Sequence, residues 1–429
     1  MEIKDLYKIF LKCSGVSTDT RQITKDILFF ALKGANFNGN EFAAQAIEAG
    51  ASYAVVDEEK FVVNEKYLLV KDVLTTLQLL AKYHRRQFNI PFIAITGSNG
   101  KTTTKELVYA VLSTTYKTKA TKGNLNNHIG IPLTLLSIGK GTEMAVIEMG
   151  ANHQKEIEGY CQYVEPTHAL ITNIGKAHLE GFGGMEGVKK GKGELYDYMK
   201  ATKGIVFVNS ADSSLMEIVK IPNPILYPQR EDFYHCELIE STPFVKYKSE
   251  NGEIIGTQLT GNYNFDNIAG ALCIGKYFKV LESIANSAVA NYTPQNNRSQ
   301  FIKSGSNEIL LDAYNANPSS MKAAIENFNR LNRKNKVIIL GDMFELGAES
   351  DYEHEVLGRL LSGCHFDKII LCGKNMKKAA DQLSSAFYFA TKPDLVAFIQ
   401  QYKIENASIF IKGSRGIGLE TILDFLKGD

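Results

Sequence analysis

The stretch Pro91-Phe-Ile-Ala-Ile-Thr-Gly-Ser-Asn-Gly-Lys-Thr-Thr-Thr104 constrains the fold more than any other part of the chain. Phe92 to Thr96 are apolar or β-favouring and read as a buried strand. Gly97, Ser98, Asn99 and Gly100 follow as a turn, and Lys101 opens a helix-competent run to about Leu112. A strand, a glycine-rich turn and a helix N-terminus gather backbone N–H groups and positive helix-dipole potential at one point, and Lys101 adds a full charge. Thr96 to Thr103 are therefore the expected nucleotide-phosphate loop, with the Thr102 hydroxyl available to Mg²⁺. Ile95 stands where the strict phosphate-loop spacing has its first glycine.

The chain has 429 residues, too many for one core, so two or three domains are expected. Around the phosphate loop, apolar runs ending in polar residues alternate with helix-length segments, which is the pattern of a parallel sheet covered on both faces. Residues 1–86 read as a small α/β domain, with strands at Ile27–Leu32, Ser52–Val56 and Tyr67–Val70 and a helix from Glu41 capped by Asn40 and stopped by Gly50. A helix from Val73 to about Phe88 leads into a central domain, residues 87–296. Four further strand–helix units in residues 297–429 predict a Rossmann-like third domain. The formal net charge of +1 gives a general nucleic-acid or membrane-surface role no electrostatic support. Six scattered cysteines lack metal spacing, and no apolar run approaches the roughly 20 residues that cross a bilayer. The N-terminus lacks the pattern of a signal peptide, and a cytoplasmic location is expected.

Ligands of such sheets gather where the strands end. Glu148, after Met144-Ala-Val-Ile147, and His178, in Asn173-Ile-Gly-Lys-Ala-His178, are placed on the same rim as the phosphate loop. Thr102 and Glu148 offer a hydroxyl and a carboxylate oxygen, the donors Mg²⁺ favours. Gly123-Asn-Leu-Asn-Asn-His128 is dense in side-chain amides. By itself, Lys189-Lys-Gly-Lys-Gly-Glu194 reads as a solvated basic turn, and Ser17-Thr-Asp-Thr-Arg21 as a solvated loop.

Taken together, Thr96-Gly-Ser-Asn-Gly-Lys-Thr-Thr103, Gly123–Pro132, Ile147-Glu-Met-Gly150, Lys176-Ala-His178, Lys192-Gly-Glu194, Gly261-Asn-Tyr-Asn-Phe-Asp-Asn267, Asn297-Arg298-Ser and Leu311-Asp-Ala-Tyr-Asn-Ala-Asn-Pro318 resemble the successive motifs of the Mur ligase family. Asp19-Thr-Arg21, Phe29–Gly34 and Gly39-Asn-Glu-Phe42 are similar to its UDP-sugar domain. The resemblance runs across all three domains and implies a UDP-sugar-binding domain, a central ATPase-type domain and a C-terminal Rossmann-like domain. Within the family, Asp312–Met321 and Gly341-Asp-Met-Phe-Glu-Leu-Gly347 resemble the branch that joins D-alanyl-D-alanine to UDP-N-acetylmuramoyl-tripeptide.

The resemblance also implies roles. Lys101 and its loop hold ATP, Thr102 and Glu148 hold a first Mg²⁺, and His178 with a carbamylated Lys192 holds or orients a second. Asn264 and Asn267 fall where the family contacts adenine. Arg298, Asp312 and Asn315 lie in the third-domain segments that close on the nucleotide. Asp19, Arg21, Asn126, Asn127 and His128 are expected on the UDP-sugar and peptide side, and a monomer is expected. Tyr263 departs from the histidine usual at its position. Another amide-forming ligase of the same superfamily, such as a folylpolyglutamate synthase, and a mechanical or regulatory phosphate-loop ATPase are the competing readings.

Overall fold

A computed structural model describes residues 1–295 and 297–427; the domain boundary expected at residue 296 and the last two residues of the third domain lie outside the described residues. Three parallel or mostly parallel sheets follow one another along the chain. The first has four parallel strands in the spatial order Gly15–Ser17, Ile27–Phe30, Tyr53–Val56, Tyr67–Leu69. Its helix starts at Ala43 rather than Glu41, after a 3-10 turn over Gly39–Phe42. Asn40 does not cap that helix because its amide is engaged elsewhere. Its Nδ2 donates to Asp57 Oδ1 at 2.8 Å, and its Oδ1 accepts the Asp57 N–H at 3.0 Å. Gly50, at φ 113°, ends the segment as expected.

The helix Val73–Arg85 joins the first domain to the second. Asp72 caps it by accepting the Thr75 N–H at 2.7 Å. The central sheet has six parallel strands in the order Ile225–Tyr227, Ile205–Asn209, His168–Ile171, Phe92–Thr96, Met144–Glu148, Thr118–Ala120. Strand Phe92–Thr96 therefore has later strands on both sides, and the order reverses around it. A crevice opens at such a reversal, beyond the carboxyl ends of the strands. Every residue of Phe92–Thr96 is buried, Ile95 included. A small antiparallel sheet, Glu237–Glu240, Lys246–Lys248 and Ile254–Gly256, occupies the irregular segment before the helix Tyr263–Tyr277.

The third sheet runs Gln300–Ser304, Asn307–Asp312, Ser408–Lys412, Lys336–Gly341, Lys368–Cys372, Phe387–Phe389. All its neighbours are parallel except the first pair, an antiparallel hairpin that the strand–helix alternation did not predict. Helix Pro318–Arg330 begins with a capping box built by Asn317 and Ser320, with Pro318 at its first position.

The basic segment around Lys192 is not a turn. It lies inside the helix Met185–Thr202, and Lys192 is 1% exposed. Two glycines of this helix, Gly187 and Gly191, serve close packing, whereas Gly193 faces open space. A Cβ at Gly191 would lie 2.4 Å from the Phe182 ring, and one at Gly187 would lie 1.8 Å from the Phe182 carbonyl oxygen. Glycine density that reads as a turn is here a flat helix face against Phe182.

Candidate functional site

The phosphate loop is held open by its neighbours. Gly97 takes φ 142° and Gly100 φ 78°, and side chains there would strike Thr172 Oγ1 and Asn267 Oδ1. Ser98 N–H donates to the Asn173 carbonyl at 3.0 Å, and Asn99 N–H to Asn173 Oδ1 at 3.0 Å. Thr96 lies beneath the loop, its hydroxyl donating to the Met149 carbonyl at 2.7 Å. Lys101 Nζ turns back on the loop, donating to the carbonyls of Gly97 at 2.8 Å and Ser98 at 3.1 Å. Burial lowers the Lys101 pKa to about 8; the Glu148 carboxylate opposes that shift and Arg298 adds to it.

Glu148 closes strand Met144–Glu148 beside the loop and is 1% exposed. Its Oε1 accepts the Thr102 hydroxyl at 3.0 Å and Asn126 Nδ2 at 2.8 Å. Its Oε2 is buried without any hydrogen-bond partner. An orphaned carboxylate oxygen beside a threonine hydroxyl is a donor set that fits one hard divalent cation, Mg²⁺ being the natural choice at a phosphate site. Among the described residues there is no cluster of three or more His, Cys, Asp or Glu side chains able to hold a metal. His178 stands in the cleft at φ 54°, with Nδ1 2.5 Å from Glu345 Oε2 of the third domain. That contact, as a hydrogen bond first and through charge second, holds the Glu345 carboxyl below its usual pKa against the opposing effect of burial.

Lys192 does not line the cleft. Its Nζ donates to the Ala151 carbonyl at 3.1 Å and sits 4.9 Å from the centre of the Phe182 ring. Burial, with the charge of Lys101 adding to it, lowers its pKa well below that of an ordinary lysine. CO₂ adds to the uncharged form of an amine, and the lowered pKa favours that form, so the residue fits a carbamate. Ala151, its hydrogen-bond partner, does line the cleft.

The third domain closes the site from the opposite side. Asn317 Nδ2 donates to Asn99 Oδ1 at 2.7 Å, and Ser319 Oγ accepts the Lys176 N–H at 2.9 Å. Lys176 Nζ meets the buried Glu353 Oε1 at 2.5 Å. Asp312 accepts the Ser299 N–H at 3.1 Å and pairs with Lys412, which also donates to the Asn315 carbonyl at 3.1 Å. The Arg298 guanidinium stacks 3.7 Å from the centre of the Tyr314 ring. The cleft so enclosed measures about 610 Å³.

Of the residues expected here, Ser98, Asn99, Gly100, Lys101, Thr102, Thr103, Asn126, Asn127, His128, Glu148, His178, Asn264, Asn267, Arg298, Asp312 and Asn315 line this one cleft. Thr96, Gly97 and Lys192 support it from behind. Asp19 and Arg21 are not among its lining. They pair with each other in the first domain, Arg21 Nε and Nη2 reaching the Asp19 carboxylate at 2.9 and 2.8 Å. Asn264 and Asn267 face the cleft with their amides engaged. Asn267 Oδ1 accepts the Thr104 hydroxyl at 2.9 Å, its Nδ2 donates to Asn264 Oδ1 at 2.9 Å, and Asn264 Nδ2 donates to the Thr260 carbonyl at 2.8 Å. Their amides thus brace the phosphate-loop helix. Sequence reasoning missed Glu156, Tyr160, Tyr314, Ser319 and Ser320, which also line the cleft. Tyr314 and Ser319 lay inside the motif around Asp312; Glu156 and Tyr160 carried no signal beyond their helical spacing.

A phosphate loop at the reversal of a parallel sheet, faced by a Rossmann-like domain across a closed cleft, defines a three-domain nucleotide-phosphate-binding protein. Family models described as the Mur ligase middle domain, the Mur ligase glutamate ligase domain and the Mur ligase family catalytic domain match residues 95–275, 297–415 and 12–86. The UDP-N-acetylmuramoyl-tripeptide–D-alanyl-D-alanine ligase of Bacillus subtilis is 34% identical over 95% of this chain and 92% of its own. The solved MurF of Acinetobacter baumannii is 30% identical, with a TM-score of 0.87 over 99% of this chain and 98% of that one. The MurF ligase of Thermotoga maritima, solved with ADP, shares the fold at 24% identity, with a TM-score of 0.84 over 97% of this chain and 98% of its own. The chain belongs to the Mur ligase family.

Proposed function

We propose that this protein joins D-alanyl-D-alanine to UDP-N-acetylmuramoyl-tripeptide at the expense of ATP, a cytoplasmic step of peptidoglycan precursor synthesis. The observation that carries this reading is the Thr102–Glu148 pair beside Lys101, set in a chain that matches a relative named for that reaction nearly end to end. The ADP named with the Thermotoga maritima structure accords with a nucleotide at this loop. The family match over residues 12–86 supports the UDP-sugar role of the first domain, which removes the reason to prefer a folylpolyglutamate synthase or a mechanical ATPase. Among the described residues no helix is long and apolar enough to cross a membrane. The protein acts as a monomer in this reading.

The chemistry follows from the donor arrangement. A carboxylate is a poor acyl donor because its leaving group would be oxide. An oxygen of the tripeptide's terminal carboxylate attacks the γ-phosphorus of ATP, the bond to the β,γ-bridging oxygen breaks, and ADP leaves. The nitrogen of the dipeptide, having lost its proton, attacks the acyl carbon; the tetrahedral adduct collapses and inorganic phosphate departs. Lys101 and the loop N–H groups hold the phosphates in line, and Arg298 lies close by as a second cation. Glu148 and Thr102 would hold Mg²⁺, which supplies electrostatic stabilisation to charge developing on the transferred group. A carbamate on Lys192, together with His178, would supply a second anchoring point behind the Ala151 loop. Asn317, Ser319 and Glu353, by drawing the third domain onto the loop, exclude the water that would hydrolyse an acyl phosphate.

Incubation with ATP, UDP-N-acetylmuramoyl-tripeptide and D-alanyl-D-alanine tests the reading. The expected result is a pentapeptide product and phosphate release that depends on the dipeptide. Phosphate release indifferent to the dipeptide, with no product, refutes it.

A further inference from the structure

One loop of the third domain, Asp342 to Gly347, meets the central domain at His178, and its base is fixed from within its own domain. Asp342 Oδ1 accepts the Met376 N–H at 2.8 Å. His354 Nε2 accepts the Met343 N–H at 3.1 Å, and Ser414 Oγ accepts the Phe344 N–H at 2.9 Å. Asp342, His354 and Ser414 are all buried. His354 is itself held, its Nδ1 donating to the Ser350 carbonyl at 2.7 Å, which makes Nε2 the accepting nitrogen. Three successive residues are thus tied to buried partners, and the residue they present next is Glu345.

Glu345 stands at φ 62°, and His178 opposite it at φ 54°. Left-handed backbone at a non-glycine residue is strained and persists where the surroundings over-determine it. Two such residues face each other across a domain boundary, with His178 Nδ1 2.5 Å from Glu345 Oε2. The backbone beside them is engaged as well. The Glu180 N–H donates to the Glu345 carbonyl at 3.3 Å, and a Cβ at Gly347 would lie 3.2 Å from the Glu180 Cβ. Half of the Glu345 side chain remains exposed, so packing within the third domain does not account for where it points.

We propose that Glu345 is a positioning residue, which from the third domain fixes the ring of His178 and so completes the site only when that domain docks. The contact holds a proton at Nδ1 and leaves the Nε2 lone pair for the cleft that His178 lines. With the domains apart, His178 loses the carboxylate and its ring is free to turn about its side-chain torsions. Nucleotide binding at Gly97–Lys101 does not pass through this contact, whereas the step that needs an oriented imidazole does. The reaction it serves rests on the ligase reading; the orientation of the ring does not.

Two measurements on the full chain test this. The first compares kcat and the KM values for ATP and D-alanyl-D-alanine in wild type, Glu345→Ala and Glu345→Gln. Glu345→Ala should lower kcat by about tenfold or more while both KM values stay within about threefold. Glu345→Gln keeps an oxygen to accept the Nδ1 proton and should recover most of the loss. The second reads the imidazole tautomer from two-bond ¹H–¹⁵N correlations of ¹⁵N-histidine-labelled protein with Mg·ADP, the His178 signals being those lost in His178→Gln. Wild type and Glu345→Gln should carry the proton at Nδ1, and Glu345→Ala should show a mixture. An undiminished kcat in Glu345→Ala, a loss confined to the KM of the dipeptide, or one tautomer shared by wild type and Glu345→Ala overturns the proposal and leaves the ligase reading intact. No product from wild type refutes the ligase reading, and the imidazole spectrum then decides the proposal by itself.

Discussion

Lys101 makes nucleotide binding depend on pH in a range where an ordinary lysine would not. Its pKa lies near 8, down from the 10.5 of a solvated side chain, because burial penalises its charge more than Glu148 restores it. The phosphates need the ammonium form. At pH 9 about one in ten molecules with a pKa near 8 is protonated, against more than nine in ten at the ordinary value. Affinity for Mg·ADP should therefore fall about tenfold between pH 7 and pH 9, about 1.4 kcal/mol, and about another tenfold for the next pH unit. Folding stability moves the other way. The unfolded chain holds this proton up to pH 10.5 and the folded chain releases it near pH 8, so this lysine's unfavourable contribution to folding is relieved as pH rises between those values. Calorimetric titration of ADP from pH 7 to 9.5, on wild type and Lys101→Met, isolates the effect, with thermal unfolding of both across the same range. A wild-type affinity that stays flat to pH 9.5, or falls as steeply in Lys101→Met, refutes the assignment of that proton to Lys101.

Lys192→Ala should abolish ligation while thermal unfolding remains cooperative, and short carboxylic acids should restore a fraction of turnover; undiminished turnover would return Lys192 to a packing role. Glu148→Gln should lower kcat by two orders of magnitude or more and raise the Mg²⁺ concentration for half-maximal rate, because it removes the charge beside the orphaned Oε2; an unchanged Mg²⁺ requirement would reject it as a ligand. Lys176→Met leaves Glu353, 3% exposed, without its cation and should weaken closure by about 1.5–3 kcal/mol, read as a larger radius of gyration in solution scattering with ADP bound and a lower kcat.

What was legible in the sequence was whatever depends on neighbours along the chain. The phosphate loop is a local object: a buried strand, two glycines at positive φ and a helix start, all within Phe92–Lys101. The alternation that predicted three α/β domains is likewise local. Lys192 was misread because local composition pointed to a turn, whereas Gly191 beside it and Gly187 a turn earlier are explained by Phe182 pressing on the helix face. The amides of Asn264 and Asn267 face a similar limit. Their motif marks the adenine side of the family's site, but only the folded chain brings Thr104 against Asn267 across 163 residues of sequence. The hairpin Gln300–Ser304 with Asn307–Asp312 was hidden because its first strand alternates exposed and half-buried residues and lacks a continuous apolar run.

Ile95, where the strict motif has glycine, bears on how the enzyme works as a whole. At that position the chain is still strand, fully buried, so the loop is short and runs only from Gly97 to Gly100. Two of its carbonyls are taken by Lys101 itself. A short loop leaves fewer N–H groups for a triphosphate, and the third domain makes up the difference by bringing Arg298 and Asn317 to the same cleft. The rings of Phe244 and Phe301, 5.3 Å apart, help to hold it there, and the polar contacts include Asn99 with Asn317, Lys176 with Ser319 and Glu353, His178 with Glu345, the Glu180 N–H with the Glu345 carbonyl, and Tyr263 with Ser299 at 3.3 Å. At about 0.5–1.5 kcal/mol for a neutral hydrogen bond and up to about 3 kcal/mol for a charged one, they total several kcal/mol before the entropy of docking is subtracted. Such a balance favours closure when phosphates add their own contacts to Arg298 and lets the cleft open once ADP and phosphate have lost them. A longer phosphate loop would bind nucleotide without the third domain and so uncouple ATP binding from the exclusion of water. The departure at Ile95 ties the two together.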